Sequence, residues 1–379
     1  MKKVMVITGT RADYGIYQPI MEAIRADEQL ELLILATGMH LSPQYGYTVQ
    51  QIEQDGFTVD YRVDSLFQGA THGNMARSIA IGILGMTQAF EQAKPDIVLV
   101  LGDRGEMLAA AIAATHLNIL VAHLHGGEVS GTIDESVRHA ISKLAHLHLS
   151  ATKGSAERLS RMGEDYWRIH IVGAPRIETI RRAKLPPLPE VLERYNLGDS
   201  ESYYLFVYHP VTTETVTVQL LEQMLCLLLQ QGKKVIAIRP NADAGTEQIS
   251  SVYERLGKSP KFVTVTSFSP LDYLTLLRHT DALIGNSSSG IIEAASFNTP
   301  VINIGSRQAG RERSANVVDI EESEEALAEA LQTIHSTVFI QQVQSLQNIY
   351  EYPETSAVIA RILREMSITQ RWIQKMITY

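Results

Sequence analysis

Short apolar runs alternate with helix-like patterns along the whole chain, and this alternation constrains the fold more than any other feature. It implies right-handed strand-helix-strand crossovers and therefore parallel sheets. The run IVLVL at 97–101 is apolar at every position, as a strand needs when helices cover both faces of its sheet. In the first half of the chain the predicted strands are 4–7, 32–35, 97–101, 119–122, 148–151 and 169–172. The sequence therefore predicts the α/β class.

The same alternation restarts in the second half of the chain. Between the halves, the stretch RRAKLPPLPE at 181–190 is rich in charge and proline, which predicts an irregular surface segment. The predicted strands beyond it are 204–208, 235–238, 262–265, 282–284 and 301–304. Because 379 residues exceed the usual size of one compact domain, two domains are expected. We predict one domain at 1–173, completed by a C-terminal helix at 355–379, and a second domain at 174–354.

Composition limits the classes of protein to which the chain can belong. A 45% apolar content and a mean hydropathy near zero are typical of a soluble globular protein. The formal net charge of −9 argues against a nonspecific nucleic-acid binder. Cys226 is the only cysteine, so disulfides and thiolate metal sites are excluded. With no signal peptide and no apolar stretch long enough for a bilayer, we expect a cytoplasmic protein with no membrane partner.

Two polar motifs follow predicted strands in the first half. GTRADYG at 9–15 precedes a helix, so its backbone amides and Arg11 can meet a phosphate at the helix start, and Asp13 and Gly15 are further candidate substrate contacts. GDRGE at 102–106 places Asp103, which can transfer a proton, beside Arg104, which can hold a phosphate. Neither motif has the spacing of a dinucleotide fingerprint or of a P-loop. An ordinary strand-to-helix turn and a helix-capping salt bridge are the structural alternatives.

The run HLHGGEVSGTIDESVRH at 123–139 crowds ionisable side chains into a glycine-bearing loop after a strand. Ligands of open parallel sheets bind beyond the carboxyl ends of the strands, where this loop is expected to lie. The run is therefore a candidate for a functional site. A capped, solvated connection is the alternative, because Gly, Ser, Thr and Asp are also common turn residues.

The second half carries further polar motifs at strand ends: YHPVTTE at 208–214, RPNADAG at 239–245, GNSSSGIIE at 285–293 and GSRQAGRERS at 305–314. Small polar residues at a helix start expose amides and hydroxyls to an anion, and arginine suits phosphate. Structural alternatives are a core histidine, an N-terminal cap and a solvated or oligomer-facing arginine loop. The candidate ligand contacts are His209, Asn241, Ser287, Ser288, Glu293, Arg307 and Arg311.

Other chemistries receive little support from the sequence. The sequence contains no HExxH pair, cysteine cluster or EF-hand loop that would predict a metal site. It also contains no GxSxG elbow that would predict a serine nucleophile. Arginine side chains and backbone amides can hold a phosphate without a metal. The motifs therefore favour an anionic sugar or nucleotide bound between two α/β domains.

These motifs, taken in order, resemble the hydrolysing UDP-N-acetylglucosamine 2-epimerases, and the resemblance covers nearly the whole chain. Non-hydrolysing relatives carry GTRPE and a His-Arg-Arg-Glu-Asn type run where this chain has GTRAD and HPVTTE. The resemblance implies two Rossmann-like domains facing a central cleft, which is the glycosyltransferase-B fold. It also implies no cofactor and no metal, and a homodimer or homotetramer. Two substrates fit it, UDP-N-acetylglucosamine and UDP-N,N'-diacetylbacillosamine, which serve nonulosonic acid synthesis.

The resemblance also assigns roles to the candidate residues. UDP contacts fall on Arg11, Gly15, Arg104, His209, Asn241, Ser287, Ser288, Glu293 and Arg307. The implied mechanism is anti-elimination to 2-acetamidoglucal, followed by syn-hydration, with His209 and Arg307 meeting the charge of the departing UDP. Asp103 and Asp134 match two catalytic carboxylates, whereas His125 stands where many members have glutamate. We expect His125 to act as the base, while Glu128 as the base and an impaired enzyme are the alternatives.

Three other functions would fit a nucleotide-sugar site on the same fold. A UDP-sugar glycosyltransferase needs an acceptor, and a non-hydrolysing epimerase keeps UDP attached to its sugar. A noncatalytic nucleotide-sugar sensor binds its ligand and releases no product. The products formed from a UDP-sugar therefore distinguish the three from a hydrolysing enzyme.

Overall fold

A computed structural model of the protein describes residues 1–67, 71–129, 133–198, 202–211, 217–240 and 246–378. It divides into two compact units. The first unit comprises Met1–Thr179 and Tyr350–Tyr379, and the second comprises Ile180–Ile349. The division thus falls near residues 179 and 350, compared with 173 and 354 in the sequence analysis.

The first unit is built on a parallel sheet with the order β3-β2-β1-β4-β5-β6-β7. Its strands are β1 Lys2–Thr8, β2 Leu30–Thr37, β3 Tyr61–Val63, β4 Ile97–Leu101, β5 Leu120–Leu124, β6 Leu147–Ser150 and β7 Ile169–Ile171. All six predicted strands are present, and β3 is an additional edge strand of three residues. The strand order reverses between β1 and β4, so the loops that follow these two strands border the usual ligand crevice of such sheets.

Helices cover both faces of this sheet. They are α1 Arg11–Ala26, α2 Val49–Gln54, α3 His72–Ala93, α4 Gly105–His116, α5 Ile133–Leu144, α6 Lys153–Arg161 and α7 Pro175–Arg182. Alternate residues of β1 enter two different apolar cores, with Val4 and Val6 on one face and Met5 and Ile7 on the other. This two-sided burial explains why the strands read as continuous apolar runs.

The second unit repeats this plan with the parallel order β10-β9-β8-β11-β12-β13. Its strands are β8 Tyr203–Val207, β9 Lys234–Ile238, β10 Phe262–Val265, β11 Ala282–Gly285, β12 Val301–Ile304 and β13 Val317–Ile320. Its helices are α8 Leu188–Arg194, α9 Val218–Gln230, α10 Thr246–Leu256, α11 Pro270–His279, α12 Ser288–Ile292, α13 Glu324–Ile334 and α14 Thr337–Gln344. The order reverses between β8 and β11. The two parallel sheets confirm the predicted α/β class.

The C-terminal part of the chain forms two helices, α15 Thr355–Glu365 and α16 Gln370–Ile373, where the sequence predicted one helix at 355–379. The first ends because Met366 takes an extended conformation, with φ −60° and ψ 119°. The Nζ of Lys2 caps this end by donating to the carbonyls of Leu363 and Arg364. Within the described ranges, no helix combines the length and apolar character needed to cross a membrane.

Candidate active site

The loop after β5 turns sharply, and its glycines allow the turn. His125 still pairs with the neighbouring strand, its N–H donating to the carbonyl of Leu149 at 3.0 Å, but its φ is +62°. Gly127 has φ +78°, and a Cβ there would overlap the carbonyl oxygen of Ser155. A Cβ on Gly126 would lie 2.9 Å from Nδ1 of His123. The two glycines therefore let the loop pack tightly, with His125 in a left-handed conformation that few non-glycine residues adopt.

Replacing Gly127 with alanine is expected to destabilise the protein more than replacing Gly56. The φ values of the two glycines are +78° and +81°, so alanine strains both backbones by about 1–2 kcal/mol. Only at Gly127 does the new Cβ also meet backbone, since Gly56 has nothing within 4 Å. Chemical denaturation should show an extra loss of about 1 kcal/mol or more in the free energy of unfolding of Gly127→Ala. Equal losses in the two variants would mean that the loop relaxes without cost.

Four side chains form a continuous network beyond β4 and β5. Nδ1 of His125 lies 2.5 Å from Oε1 of Glu128, and the other oxygen of Glu128 accepts from Nη1 of Arg138 at 3.0 Å. Nη2 of Arg138 donates to the carboxylate of Asp103. His125, Glu128 and Arg138 are 8%, 6% and 3% exposed, whereas the Asp103 side chain is 25% exposed. We call these four residues the acid-base network.

The acid-base network has the chemistry of a histidine base oriented by a carboxylate. A carboxylate accepts hydrogen bonds, so Nδ1 of His125 carries a proton, and in the neutral imidazole Nε2 is the atom with the basic lone pair. Nε2 is buried and has no hydrogen-bond partner among the residues that the structure describes. The planar fork of Arg138 contacts both carboxylates at once, the buried one of Glu128 and the partly exposed one of Asp103. The arrangement can therefore take a proton at Nε2 of His125 and has a second carboxyl group at Asp103.

His123 is structural although it lies only two residues before His125. Its Nε2 donates to the carbonyl of Gly102 at 2.8 Å, and its Nδ1 lies 3.1 Å from Oγ of Ser142. Burial lowers the pKa of His123 to about 3, so the imidazole stays neutral. His123 therefore joins the loop after β4 to helix α5.

Asp134 lies in the first turn of α5 and is exposed. It precedes Arg138 by one helical turn. Burial lowers the pKa of Arg104, but the carboxylates of Glu106, Asp13 and Asp134 outweigh burial and raise it above its ordinary value. The carboxylate of Asp134 therefore interacts electrostatically with Arg104, the residue that follows Asp103 in the loop after β4.

The loop after β1 is organised by Asp13. Its carboxylate accepts from the N–H groups of Gly9 and Thr10 at 2.9 and 2.8 Å, and it also completes the capping box of α1. The side chain of Asp13 thus shapes the loop, and its predicted contact with a ligand stays a prediction. Arg11 is exposed, and a Cβ on Gly15 would meet nothing within 4 Å. These two positions leave room for a ligand beside the start of α1.

Sequence reasoning missed Arg138, the centre of the acid-base network. The available signal was its spacing, because Arg138 follows Asp134 by four residues in a predicted helix and so shares its face. Its contact with Asp103 joins residues 35 positions apart and could not be read from that spacing.

In the second unit, Asn286 fastens the loop that carries His209. Its Oδ1 accepts from the N–H of His209, and its Nδ2 donates to the His209 carbonyl, both at 2.8 Å. The carbonyl of Asn286 in turn accepts from Nη1 of Arg307 and from Nε2 of Gln308, both at 3.0 Å. The loops after β8, β11 and β12 are therefore tied together through one buried asparagine that sequence reasoning did not identify.

The serine motif after β11 forms a short helix. Helix α12 spans only five residues from Ser288, and Ser287 caps it. So short a helix has a small dipole, which leaves amides and hydroxyls as its anion donors. Glu293 is buried and accepts from Oγ of Ser289 at 2.5 Å, while Ser289 accepts from the hydroxyl of Tyr273 at 2.8 Å. This relay fixes the carboxylate of Glu293.

The arginine side chains of the loop after β12 have different surroundings. Arg313 pairs with Asp319 and donates to the carbonyl of Gln308, so it stabilises the loop. Arg307 and Arg311 are both half-buried, and Nε of Arg311 has no hydrogen-bond partner within the described ranges.

Asn241 lies outside the described residues. Among the described side chains, no group of three or more His, Cys, Asp or Glu residues is suited to a metal ion.

Comparisons with known proteins identify the family to which the chain is similar. Residues 22–364 match the family model described as UDP-N-acetylglucosamine 2-epimerase. A UDP-N,N'-diacetylbacillosamine 2-epimerase (hydrolyzing) from Legionella pneumophila is 43% identical over 332 residues, covering 87% of this chain and 88% of the relative. A UDP-N-acetylglucosamine 2-epimerase from Neisseria meningitidis serogroup B is 37% identical over 340 residues, covering 88% and 87%.

A solved structure shares the fold. The UDP-GlcNAc 2-epimerase from Neisseria meningitidis bound to UDP-GlcNAc gives a TM-score of 0.81 at 17% identity, covering 95% of this chain and 99% of that one. Together the matches confirm the resemblance and the enzyme class that the sequence indicated. The predicted oligomer and the cytoplasmic location stay predictions.

Proposed function

This chain belongs to the UDP-N-acetylglucosamine 2-epimerase family, and we propose that it hydrolyses a UDP-linked 2-acetamido sugar with inversion at the second carbon. From UDP-N-acetylglucosamine and water, the products are UDP and N-acetylmannosamine. The observation that carries this proposal is the acid-base network, in which Arg138 joins Asp103 to the Glu128–His125 pair. The free sugar would enter nonulosonic acid synthesis.

The first step is elimination of UDP. The bond between the anomeric carbon and the diphosphate oxygen breaks, and UDP leaves with the bonding electrons. The resulting positive character at the anomeric carbon acidifies the hydrogen on the second carbon. Nε2 of His125 takes that proton, and the C–H electron pair becomes the double bond of 2-acetamidoglucal. Glu128 stabilises the imidazolium that forms, because its carboxylate holds Nδ1 at 2.5 Å.

The second step is hydration of the glucal. A carboxylic acid, assigned to Asp103 or Asp134, returns a proton to the second carbon from the opposite face. Water adds its hydroxyl to the anomeric carbon and gives up its remaining proton to solvent or to a carboxylate. The configuration at the second carbon is inverted because removal and return of the proton use opposite faces.

Residues of the second unit are assigned to UDP. Preorganised donors stabilise charge most strongly where it develops, which here is on the departing diphosphate. Arg307, His209, Ser287 and Ser288 are the proposed diphosphate contacts, and Glu293 is the proposed acceptor for the ribose hydroxyls. The fastening of the loops by Asn286 supports this assignment, because it holds His209 and Arg307 at fixed positions.

UDP-N,N'-diacetylbacillosamine is a second candidate substrate. The identity to the Legionella relative supports it, since that relative is more similar to this chain than the Neisseria UDP-N-acetylglucosamine enzyme. The two sugars share the 2-acetamido group and the diphosphate on which the proposed chemistry acts.

Incubation of the protein with each UDP-sugar in deuterated water tests the proposal. We expect release of UDP without an acceptor, and a free sugar that is inverted and deuterated at the second carbon. A UDP-linked epimer would indicate a non-hydrolysing enzyme, and UDP release only with an acceptor would indicate a glycosyltransferase. Binding of both UDP-sugars without any product would leave a sensor and contradict the proposal.

The variant Glu293→Gln is expected to weaken UDP binding about tenfold to a hundredfold, since a charge-assisted hydrogen bond contributes roughly 1.5–3 kcal/mol. A glutamine has one acceptor oxygen, which cannot serve Ser289 and two ribose hydroxyls together. Titration calorimetry with UDP measures the change. Glu329→Gln is the matched control, because Glu329 is exposed on α13. If the two variants bound UDP with equal affinity, the assignment of Glu293 to the UDP site would be wrong.

A further inference from the structure

The C-terminal segment 370–378, which we call the C-terminal clamp, holds the end of helix α5. Nζ of Lys375 donates to the carbonyls of Ser142, Lys143 and Ala145 at 3.1, 2.8 and 2.8 Å. The last carbonyls of a helix lack partners within the helix and carry partial negative charge. The ammonium of Lys375 therefore satisfies these carbonyls and complements the helix dipole.

Lys375 is itself fixed by a buried carboxylate. Its Nζ lies 2.5 Å from Oε2 of Glu164, whose side chain is fully buried. The same carboxylate contacts Nε2 of His148 at 3.0 Å and Nζ of Lys143 at 2.6 Å. Burial alone would raise the pKa of Glu164, but His148, Lys375 and Lys143 outweigh it and hold the pKa at about 2. The ammonium of Lys375 thus lies between the ionised carboxylate of Glu164 and the carbonyl end of α5.

Arg168 fastens the C-terminal clamp to the rest of the first unit. Its guanidinium donates to the carbonyls of Trp372 and Arg371 at 3.1 and 2.6 Å, and to that of His146 at 3.1 Å. It also lies 4.2 Å from the centre of the Trp167 ring. These contacts of Arg168 hold Arg371 and Trp372 in place, and Lys375 follows them closely in the chain.

Close packing continues beyond Lys375. The N–H of Thr378 donates to the carbonyl of Gly163 at 3.0 Å. A Cβ on Gly163 would approach the Thr378 carbonyl to 2.8 Å, so the C-terminal clamp lies directly on this glycine. A side chain at position 163 would push the clamp away without changing any charge, and it would also strain the backbone, since Gly163 has φ +85°.

Helix α5 carries two of the residues to which the proposed reaction assigns roles. It has twelve residues, with Asp134 in its first turn and Arg138 one turn later. Ser142, whose carbonyl Lys375 caps, also contacts His123 through its hydroxyl. A helix is stiff along its axis, so displacing its C-terminal end displaces side chains two turns away.

We propose that Lys375 is a positioning residue, which acts through the carbonyl end of α5 to hold Arg138 against Asp103 and Glu128. The inference rests on the proposed function for its activity readout only. Its structural part, the immobilisation of α5, holds for any function of the first unit. Helix α5 therefore links the clamp to the acid-base network.

The variant Lys375→Met tests this role. We expect amide hydrogen exchange at 137–144 to accelerate about tenfold, because a capping charge and three donors are lost. We also expect kcat to fall about tenfold with KM for the UDP-sugar nearly unchanged, since an α5 displacement affects proton transfer and not UDP binding. Lys375→Arg should restore most of both quantities, because arginine supplies charge and donors at the same place.

Two further variants keep the test decisive. Lys2→Met is the matched control, since Lys2 caps α15 through the carbonyls of Leu363 and Arg364 by the same chemistry. It should accelerate exchange in α15 and leave kcat unchanged. Gly163→Ala displaces the clamp without a charge change and should accelerate exchange in α5, which decides the case if Lys375→Met does not fold.

Unchanged α5 exchange in folded Lys375→Met or in Gly163→Ala overturns the proposal. An equal loss of kcat in Lys2→Met also overturns it, because the effect would then be a general loss of stability. If the wild-type protein converts no UDP-sugar, the proposed function fails, whereas α5 exchange still decides whether the clamp holds the helix.

Discussion

Replacing His125 with alanine is expected to lower kcat about a thousandfold while KM for the UDP-sugar changes little. The variant removes the proposed base, Nε2, which is buried and faces no hydrogen-bond partner among the described residues. His125→Gln is the sharper form of the same test. Its amide can still donate to Glu128, so the loop keeps its contact but has no group that takes a proton at neutral pH. Steady-state kinetics with UDP release as the readout measures both variants.

Glu128→Gln separates the base from the residue that orients it. If His125 is the base, the glutamine variant loses the charge that stabilises the imidazolium, and kcat falls about tenfold to a hundredfold, less than in His125→Ala. The opposite ranking, with His125→Ala fully active and Glu128→Gln inactive, would make Glu128 the base. His125→Glu restores the carboxylate that many family members have and should recover part of the activity that alanine loses. Thermal denaturation of each variant checks that the fold is intact.

Replacing Arg138 with methionine is expected to lower the free energy of unfolding by roughly 3 kcal/mol and also to abolish most activity. The change leaves the carboxylates of Glu128 and Asp103 without the guanidinium that now joins them. Repulsion between the carboxylates of Glu128 and Asp103 then favours protonation of one, which removes an acid-base group from its working state. Denaturant unfolding and kcat measure the two effects.

Arg138→Lys is expected to restore little. A single ammonium cannot hold two carboxylates in the planar, two-pronged geometry that arginine provides. Arg255→Met is the control for loss of an arginine ion pair, because Arg255 contacts Glu222 at the surface and should matter little for stability. Recovery of wild-type kcat in Arg138→Lys, or equal stability of Arg138→Met and Arg255→Met, would contradict the bridging role of Arg138.

The sequence predicted a site in the loop after β5, with His125 as the expected base and Glu128 as an alternative. The structure joins the two residues through one hydrogen bond, so they form a pair. Their spacing of three residues is compatible with many turns and does not predict a contact. The contact depends on a positive φ at His125 and on a glycine pair that packs against neighbouring elements. Such backbone geometry is set by tertiary packing.

The strands show the same division between local and long-range information. Every predicted strand is present, and the central strands bury continuous apolar runs between layers of helices. The two that sequence reasoning missed, β3 and β13, each lie at one edge of a sheet, as do the predicted strands β7 and β10. An edge strand is partly exposed and accepts charged residues, and β3 and β13 each contain one, Arg62 and Asp319, that interrupts the apolar run. YRV and VVDI, the sequences of β3 and β13, do not stand out from loops.

The sequence by itself determined the α/β class, the two series of parallel strands, the family and the positions of the polar loops. It could do so because apolar periodicity is local and because parallel connections place successive strand ends at one edge of a sheet. The tertiary structure alone decided which polar groups meet: Arg138 with Asp103 and Glu128, Asn286 with His209, and Lys375 with the end of α5. These partners are brought together by strand order and helix packing, and the spacing of residues along a chain does not contain that information.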